Sequence, residues 1–159
     1  MSAQLSAPTR LRPMLAADLD AVMAIEAVAY AFPWTRGNFI DSLAAGYLAL
    51  VLTQHSGNVV GYLVAMRGVG EMHLLNVTVA PPWQRRGLAQ QLLSTLDQTG
   101  RSEQLPLLWL EVRASNQRAR DIYRVRGFAE VGVRRGYYPA PGGEREDAVV
   151  MRLALDGSA

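Results

Sequence analysis

The run Val77-Thr78-Val79-Ala80-Pro81-Pro82-Trp83-Gln84-Arg85-Arg86-Gly87-Leu88-Ala89 carries the strongest structural signal in this chain of 159 residues. A strand rich in β-branched residues ends at Pro81-Pro82, a short turn follows, and a helix opens at Arg-Arg-Gly. The unpaired amides of such a turn and of the first helical residues can converge on one anion. Gly87 lets a pyrophosphate approach the backbone closely, while Arg85 and Arg86 supply charge. A glycine needed for the turn, beside two solvated arginines, is the plainer reading of the same letters. The strand before and the amphipathic helix after favour the anion site.

Working outward, the helix is predicted from Gly87 to Thr99, with Leu88, Leu92, Leu93 and Leu96 as one apolar stripe and Gly100 as its stop. Upstream, Tyr47 to Thr53, Val59 to Met66 and Glu71 to Val79 read as strands, the first two joined by a turn at Ser56-Gly57-Asn58. Arg10 to Met14 is a short first strand. A helix spans Ala16 to Tyr30, with Asp18 and Asp20 favouring its positive end. Phe32-Pro33-Trp34 breaks that helix, and Thr35 caps a second one running through Leu43.

Downstream, Leu107 to Val112 is a strongly apolar strand in which Trp109, among leucines, reads as core. Asn116 to Arg126 is a helix ended by Gly127, with Phe128 as its hydrophobic cap contact. Ala129 to Arg134 and Ala148 to Leu155 complete the strands, with a loop from Tyr137 to Glu146 between them. The order is that of a mixed α/β fold. It implies a mostly antiparallel sheet of about six or seven strands with about four helices on its faces. No repeat or linker divides the chain, so one domain is expected, with its core over about residues 10–155.

Composition narrows the chemistry. The chain has no cysteine, which excludes disulfides, thiolate metal sites and a cysteine acyl-enzyme. Two isolated histidines, His55 and His73, have no metal-ligand spacing, so no metal is expected. All 16 basic side chains are arginine, which leaves no lysine amine to act as an internal acyl acceptor. From Arg85 to Arg135 arginines outnumber acids ten to five, a balance suited to an anionic ligand. A net charge of +2 gives no argument for nucleic acid. Neither a signal-peptide core between Met1 and Arg12 nor a membrane-spanning run is present, so a cytoplasmic location is expected.

A second constellation is Leu108-Trp109-Leu110-Glu111-Val112-Arg113-Ala114-Ser115-Asn116, continuing to Tyr123. Glu111 lies near the end of an apolar strand, where an unpaired carboxylate is costly and partial burial raises its pKa towards that of a general base. Asn116 opens the next helix as a cap. Tyr123 follows two turns later on the same helix face. A Glu paired with a nearby arginine, a plain cap and a core tyrosine are the alternatives for each residue taken alone. Glu71 and His73 share one side of their strand, which makes Glu71 a second candidate base and a mixed polar strand end the blander reading of both.

The segment Gln84-Arg85-Arg86-Gly87-Leu88-Ala89 resembles the acyl-CoA pyrophosphate loop of the GCN5-related N-acetyltransferase superfamily, with alanine where glycine is commoner at the last position. The run Leu108 to Asn116, Tyr123, Arg134-Arg135-Gly136-Tyr137-Tyr138-Pro139, Arg145-Glu146-Asp147-Ala148 and the early Ala31-Phe32-Pro33-Trp34 resemble one subgroup, the bacterial ribosomal-protein-alanine N-acetyltransferases. This resemblance covers about Arg10 to Leu155.

The resemblance implies acetyl-CoA as co-substrate and the N-terminal alanine of a small-subunit ribosomal protein as acceptor, with no direct role for nucleic acid or membrane. Glu111 becomes the base that deprotonates the amine, and Tyr123 the acid that protonates the leaving thiolate. Val77, Thr78, Val79 and the turn Arg85, Arg86, Gly87, Leu88, Ala89 and Gln90 hold the cofactor, and Asn116 contacts its pantetheine arm. Phe32, Pro33, Trp34, Tyr137 and Tyr138 line the peptide groove, or else form a hydrophobic lid over the core. An α-amine, with a pKa of about 8, asks less of a carboxylate base than a lysine amine at about 10.4. An acetyltransferase for small amines or lysine side chains, and a non-catalytic CoA sensor, are the competing readings. The Phe-Pro-Trp and Tyr-Tyr-Pro elements speak against the first, and the Glu111 and Tyr123 pair against the second.

Overall fold

The computed structural model describes residues 9–155. Residues 1–8, where most of the segment read for a signal core lies, and residues 156–159 fall outside that range. The seven strands are β1 (Thr9–Pro13), β2 (Leu48–Gln54), β3 (Val59–Gly68), β4 (Glu71–Val79), β5 (Leu107–Arg113), β6 (Ala129–Pro139) and β7 (Arg145–Ala154). The four α-helices are α1 (Leu19–Ala29), α2 (Arg36–Ala44), α3 (Leu88–Ser102) and α4 (Gln117–Arg126). The sheet order is β1-β2-β3-β4-β5-β7-β6. β1–β2, β2–β3, β5–β7 and β6–β7 pair antiparallel, whereas β4 and β5 run parallel. The mixed, mostly antiparallel α/β architecture expected from the sequence is therefore the one observed.

The described residues fall into two compact units, one of residues 9–65 and 76–92, the other of 66–75 and 93–155. The first holds the β1–β2–β3 meander, α1 and α2. Its core gathers Leu19, Val22, Phe39, Val51, Leu52, Tyr62 and Leu63, all nearly or fully buried. Each large apolar side chain so buried contributes about 1.5–3 kcal/mol. Thr35 caps α2 as predicted, accepting from the Asn38 amide while Asn38 Oδ1 accepts from the Thr35 amide. Asp18 accepts from the Leu15 amide and from both outer guanidinium nitrogens of Arg12, at 2.7 and 2.8 Å. Those bonds hold its carboxyl below the usual carboxylate range, with the Arg12 hydrogen bonds first among the causes. At Gly61 a Cβ would lie 2.9 Å from the Thr78 carbonyl oxygen, so only glycine permits this backbone approach.

In the second unit the alternation of β5 sorts its residues. Leu108, Leu110 and Val112 are buried, whereas Trp109, Glu111 and Arg113 share the other, half-open face. Trp109 is thus not the core residue expected from its leucine neighbours, because a period of two sends it to the side of Glu111.

Gly100 does not stop α3. The helix continues to Ser102 and closes with Gln104 in the left-handed region (φ 59°), its amide bonded to the Arg101 carbonyl and that of Leu105 to the Gly100 carbonyl. Gly100 instead lies against Leu155: a Cβ there would come within 2.5 Å of Leu155 Cδ1, so that side chain would have to shift. Gly127 does end α4 with φ 110°, and Phe128 packs edge-on against Tyr123 at 5.7 Å. The expected loop from Tyr137 to Glu146 is mostly strand. β6 runs on through Tyr137, Tyr138 and Pro139, β7 starts at Arg145, and a tight turn at Pro141–Gly143 joins them. Tyr138↔Glu146 and Pro139↔Arg145 extend the ladder beyond an irregularity between Arg134 and Tyr138.

Candidate active site

In the second unit, the ladder between β4 and β5 pairs Glu71 with Leu107 and His73 with Trp109. Glu71, His73, Trp109 and Glu111 therefore share one face. Glu111 Oε1 stands 2.7 Å from His73 Nε2, and Oε2 stands 3.1 Å from Arg134 Nε. The Glu111 side chain is 7% exposed and that of Arg134 50%. A carboxylate removed from water needs such partners, and here one lies within the face while the other reaches it from the solvent side.

His73 stacks flat on Trp109, with ring centroids 3.6 Å apart and planes 10° from parallel. Trp109 Nε1 donates to Glu71, so that carboxylate is occupied in fixing the ring. The mixed polar strand end foreseen for Glu71 and His73 is in fact an ordered row, Glu71–Trp109–His73–Glu111–Arg134, with His73 buried.

The two tyrosines of β6 belong to the same neighbourhood. The Arg134 guanidinium lies 5.7 Å from the Tyr137 ring and 5.9 Å from that of Trp109. Burial, then the negative charge of Glu111, push the Tyr137 hydroxyl above its ordinary pKa, with Arg134 opposing. The same two causes, in the same order, raise that of Tyr138 further. The charge of Glu111 thus reaches both aromatic residues expected to meet the peptide. Arg113 packs over the Tyr138 ring at 4.5 Å and donates to the Pro139 carbonyl and to Glu146, whose other oxygen caps the Ser115 amide.

α4 supplies the remaining pair. Asn116 is its N-cap, its side-chain oxygen accepting from the Ala119 amide at 3.1 Å. Tyr123 is buried in the helix's last turns.

In the first unit, β4 ends at Val79 and a 3-10 turn at Pro81–Trp83 leads into the loop. Gln84 Nε2 donates to the Val79 carbonyl, and the Arg86 guanidinium lies 4.8 Å from the Trp83 ring. Arg85 has φ 65° and Gly87 φ 80°, with Arg86 between them outside the left-handed region. Turns that alternate left-handed and right-handed residues are the kind in which successive amides can face one side. A Cβ added at Gly87 would meet nothing within 4 Å, so the space over the loop is open. The glycine was legible from sequence, but the left-handed Arg85 was not, since φ above zero is uncommon for arginine.

Residues 19–128 match the Acetyltransferase (GNAT) family. The chain belongs to that family. It is 40% identical over 138 residues to the [ribosomal protein bS18]-alanine N-acetyltransferase of Escherichia coli, covering 87% of this chain and 92% of that protein. The enzyme of the same name from Haemophilus ducreyi is 36% identical over 138 residues, covering 87% and 94%. Among solved structures, the Escherichia coli enzyme superposes with a TM-score of 0.86 at 36% identity, covering 96% of this chain and 97% of that one. Arabidopsis thaliana NAA60 in complex with a bisubstrate analogue shares the fold, with a TM-score of 0.83 at 18% identity, covering 95% and 100%. The loop Gln84–Ala89 and Glu71, His73, Trp109 and Glu111 lie in the stretch that matches the GNAT family, whereas Arg134, Tyr137 and Tyr138 lie beyond it.

Sequence reasoning missed one cluster entirely. In the first unit Glu26 is buried, accepting from Tyr62 Oη at 2.6 Å, Asn76 Nδ2 at 3.2 Å and the Trp34 amide at 2.9 Å. Thr78 Oγ1 donates to Asn76 Oδ1 at 2.7 Å, and Tyr30 Oη lies 2.6 Å from Thr78 Oγ1 and 3.2 Å from the Val77 carbonyl oxygen. Burial pushes the Tyr30 hydroxyl up to about 12. Burial and then the bond to Glu26 drive the Tyr62 hydroxyl beyond any working pH. No local pattern marks Glu26, which sits between Ile25 and Ala27 on its helix.

Proposed function

We propose that this chain is a cytoplasmic enzyme, one acetyltransferase domain over about residues 10–155. It transfers an acetyl group from acetyl-CoA to the α-amine of an N-terminal alanine, with ribosomal protein bS18 as the natural acceptor. One observation carries the reading: a nearly buried carboxylate, Glu111, held between His73 and Arg134, with its charge felt by Tyr137 and Tyr138. The names of the relatives at 36–40% identity support the choice of acceptor.

Acetyl-CoA supplies the activated acetyl thioester. The amides of the Arg85–Gln90 turn, with the charge of Arg85 and Arg86, hold its pyrophosphate. Val77, Thr78 and Val79 offer backbone groups along β4, and the Asn116 amide group meets the pantetheine arm. Phe32, Pro33, Trp34, Tyr137 and Tyr138 are the residues assigned to receive the acceptor's first residues.

An α-amine is mostly protonated at neutral pH, its pKa being about 8. Glu111 takes one of its protons, and the freed lone pair attacks the thioester carbonyl carbon. The C–S bond breaks as the C–N bond forms, Tyr123 gives its proton to the departing thiolate sulfur, and the second proton that the nitrogen sheds on becoming an amide restores the Tyr123 hydroxyl through solvent. His73 and Arg134 orient the Glu111 carboxylate. With no cysteine in the chain, direct transfer in a ternary complex needs no covalent enzyme intermediate.

The test is mass spectrometry after incubation with acetyl-CoA and two peptides, one beginning with free alanine and lacking lysine, the other blocked at its N-terminus and carrying one lysine. Acetylation of the first alone is the expected result. Acetylation of the second, or of neither, overturns the N-terminal acceptor.

A further inference from the structure

Glu26 is a buried ionisable group for which the transfer reaction has no use. It is 1% exposed, yet none of its three described donors is a cation: a phenol, a primary amide and a backbone amide. It also sits in the last turn of α1, where the helix dipole disfavours negative charge. A carboxylate in such a place is expensive, and a leucine or methionine would fill it at lower cost. What it does there is visible from its partners. Oε1 gathers Tyr62 of β3 and Asn76 of β4, while Oε2 reaches out of the core to the amide of Trp34.

Trp34 closes the Phe32-Pro33-Trp34 segment, which follows the end of α1 and precedes α2. Its ring packs on Phe39 at 5.0 Å, and Phe39 in turn meets Tyr62 edge-on at 5.8 Å. The segment itself makes no ladder, and Phe32 and Pro33 are exposed. The Trp34 ring and the Trp34 amide bonded to Glu26 both anchor it. Two acceptor oxygens suit this junction because each can face a different element. Glutamine, with one oxygen and one amide, would point donors at donors on one side.

We propose that Glu26 is a positioning residue for peptide recognition: its carboxylate ties the Phe32–Trp34 lip to β3 and β4 and so fixes the lip that receives the acceptor's first residues. This rests on the assignment of that lip to the peptide in the function proposed above. The role is separate from Glu111, which touches the reacting amine.

The test compares wild type, Glu26→Gln and Tyr62→Phe. Hydrogen exchange followed by NMR reads the Trp34 amide, and steady-state kinetics reads the alanine peptide. Glu26→Gln is expected to speed Trp34 exchange at least tenfold and to raise the peptide KM about tenfold, leaving kcat and the acetyl-CoA Kd within about twofold. Tyr62→Phe disturbs the same core but leaves the Glu26–Trp34 contact. It is expected to lower thermal stability with the peptide KM unchanged, which separates positioning from general loosening. A peptide KM within twofold of wild type in Glu26→Gln, or an equal rise in both variants, overturns the proposal. A wild-type enzyme that acetylates no free N-terminus sinks the underlying function, and that result appears before any variant is compared.

Discussion

Glu111 and Glu26 are both carboxylates removed from water, and the company each keeps separates their roles. Glu26 is held by three neutral donors inside a packed core. Glu111 is held by an imidazole and by a half-exposed guanidinium on a face that also carries two tyrosines. A carboxylate bound by neutral core groups cannot exchange partners without unpacking the core, so it serves geometry. In the proposed function, one bound at the margin by the half-exposed Arg134 can trade that partner for an incoming ammonium. Burial alone therefore does not separate the two carboxylates; the exposure of their partners does.

The largest expected effect falls on the marginal carboxylate. Glu111→Gln should lower kcat at neutral pH by roughly a hundredfold or more, the scale of lost general-base catalysis, with the acetyl-CoA Kd unchanged by calorimetry. Next comes packing in the unit that holds Glu26. Gly61→Ala drives a Cβ against the Thr78 carbonyl and should cost about 1–3 kcal/mol in denaturant unfolding. A stability within error of wild type would show that β3 and β4 can part there without penalty.

A smaller effect tests the company of Glu111. His73→Phe keeps the stack on Trp109 but deletes the contact to Oε1, and kcat should fall about fivefold, the worth of one orienting hydrogen bond. No change in kcat would make Arg134 the sole positioner.

The smallest effect concerns a third carboxylate, Asp18. Its pKa is lowered in the fold, so its contribution is present above the unfolded value of about 3.9 and fades as pH falls through the folded one. Arg12→Gln should cost about 1 kcal/mol or less at pH 7, since Arg12 is partly solvated, and nothing measurable at pH 2. An equal cost at both pH values would assign the loss to packing instead.

Much of this molecule is legible from local pattern. The Thr35 cap, the Gly127 stop and the full course of β4 follow from residues a few positions apart, because caps, turns and alternation are local physics. The turn at Gly87 was readable for the same reason, through its glycine. Errors arose where distant residues decided the outcome. Gly100 looked like a helix stop, yet α3 runs past it and it lies against Leu155, more than fifty positions away in sequence. Trp109 sat among leucines, and only the pairing of β4 with β5 shows that it serves His73 and Glu71. The Tyr137–Pro139 stretch looked like loop chemistry, but pairing with β7 overrides that tendency. Glu26 was invisible because Tyr62 and Asn76 reach it from 36 and 50 positions away.

The most direct test of Glu111 as the base is the ratio of wild-type to Glu111→Gln turnover on the alanine peptide, measured from pH 6 to pH 10 at saturating acetyl-CoA. If Glu111 removes a proton from the α-amine, the ratio should be large near pH 6–7. It should shrink as pH rises past about 8, where the amine sheds that proton unaided. A ratio that stays constant across the range would contradict the assignment and leave Glu111 an anchor like Glu26.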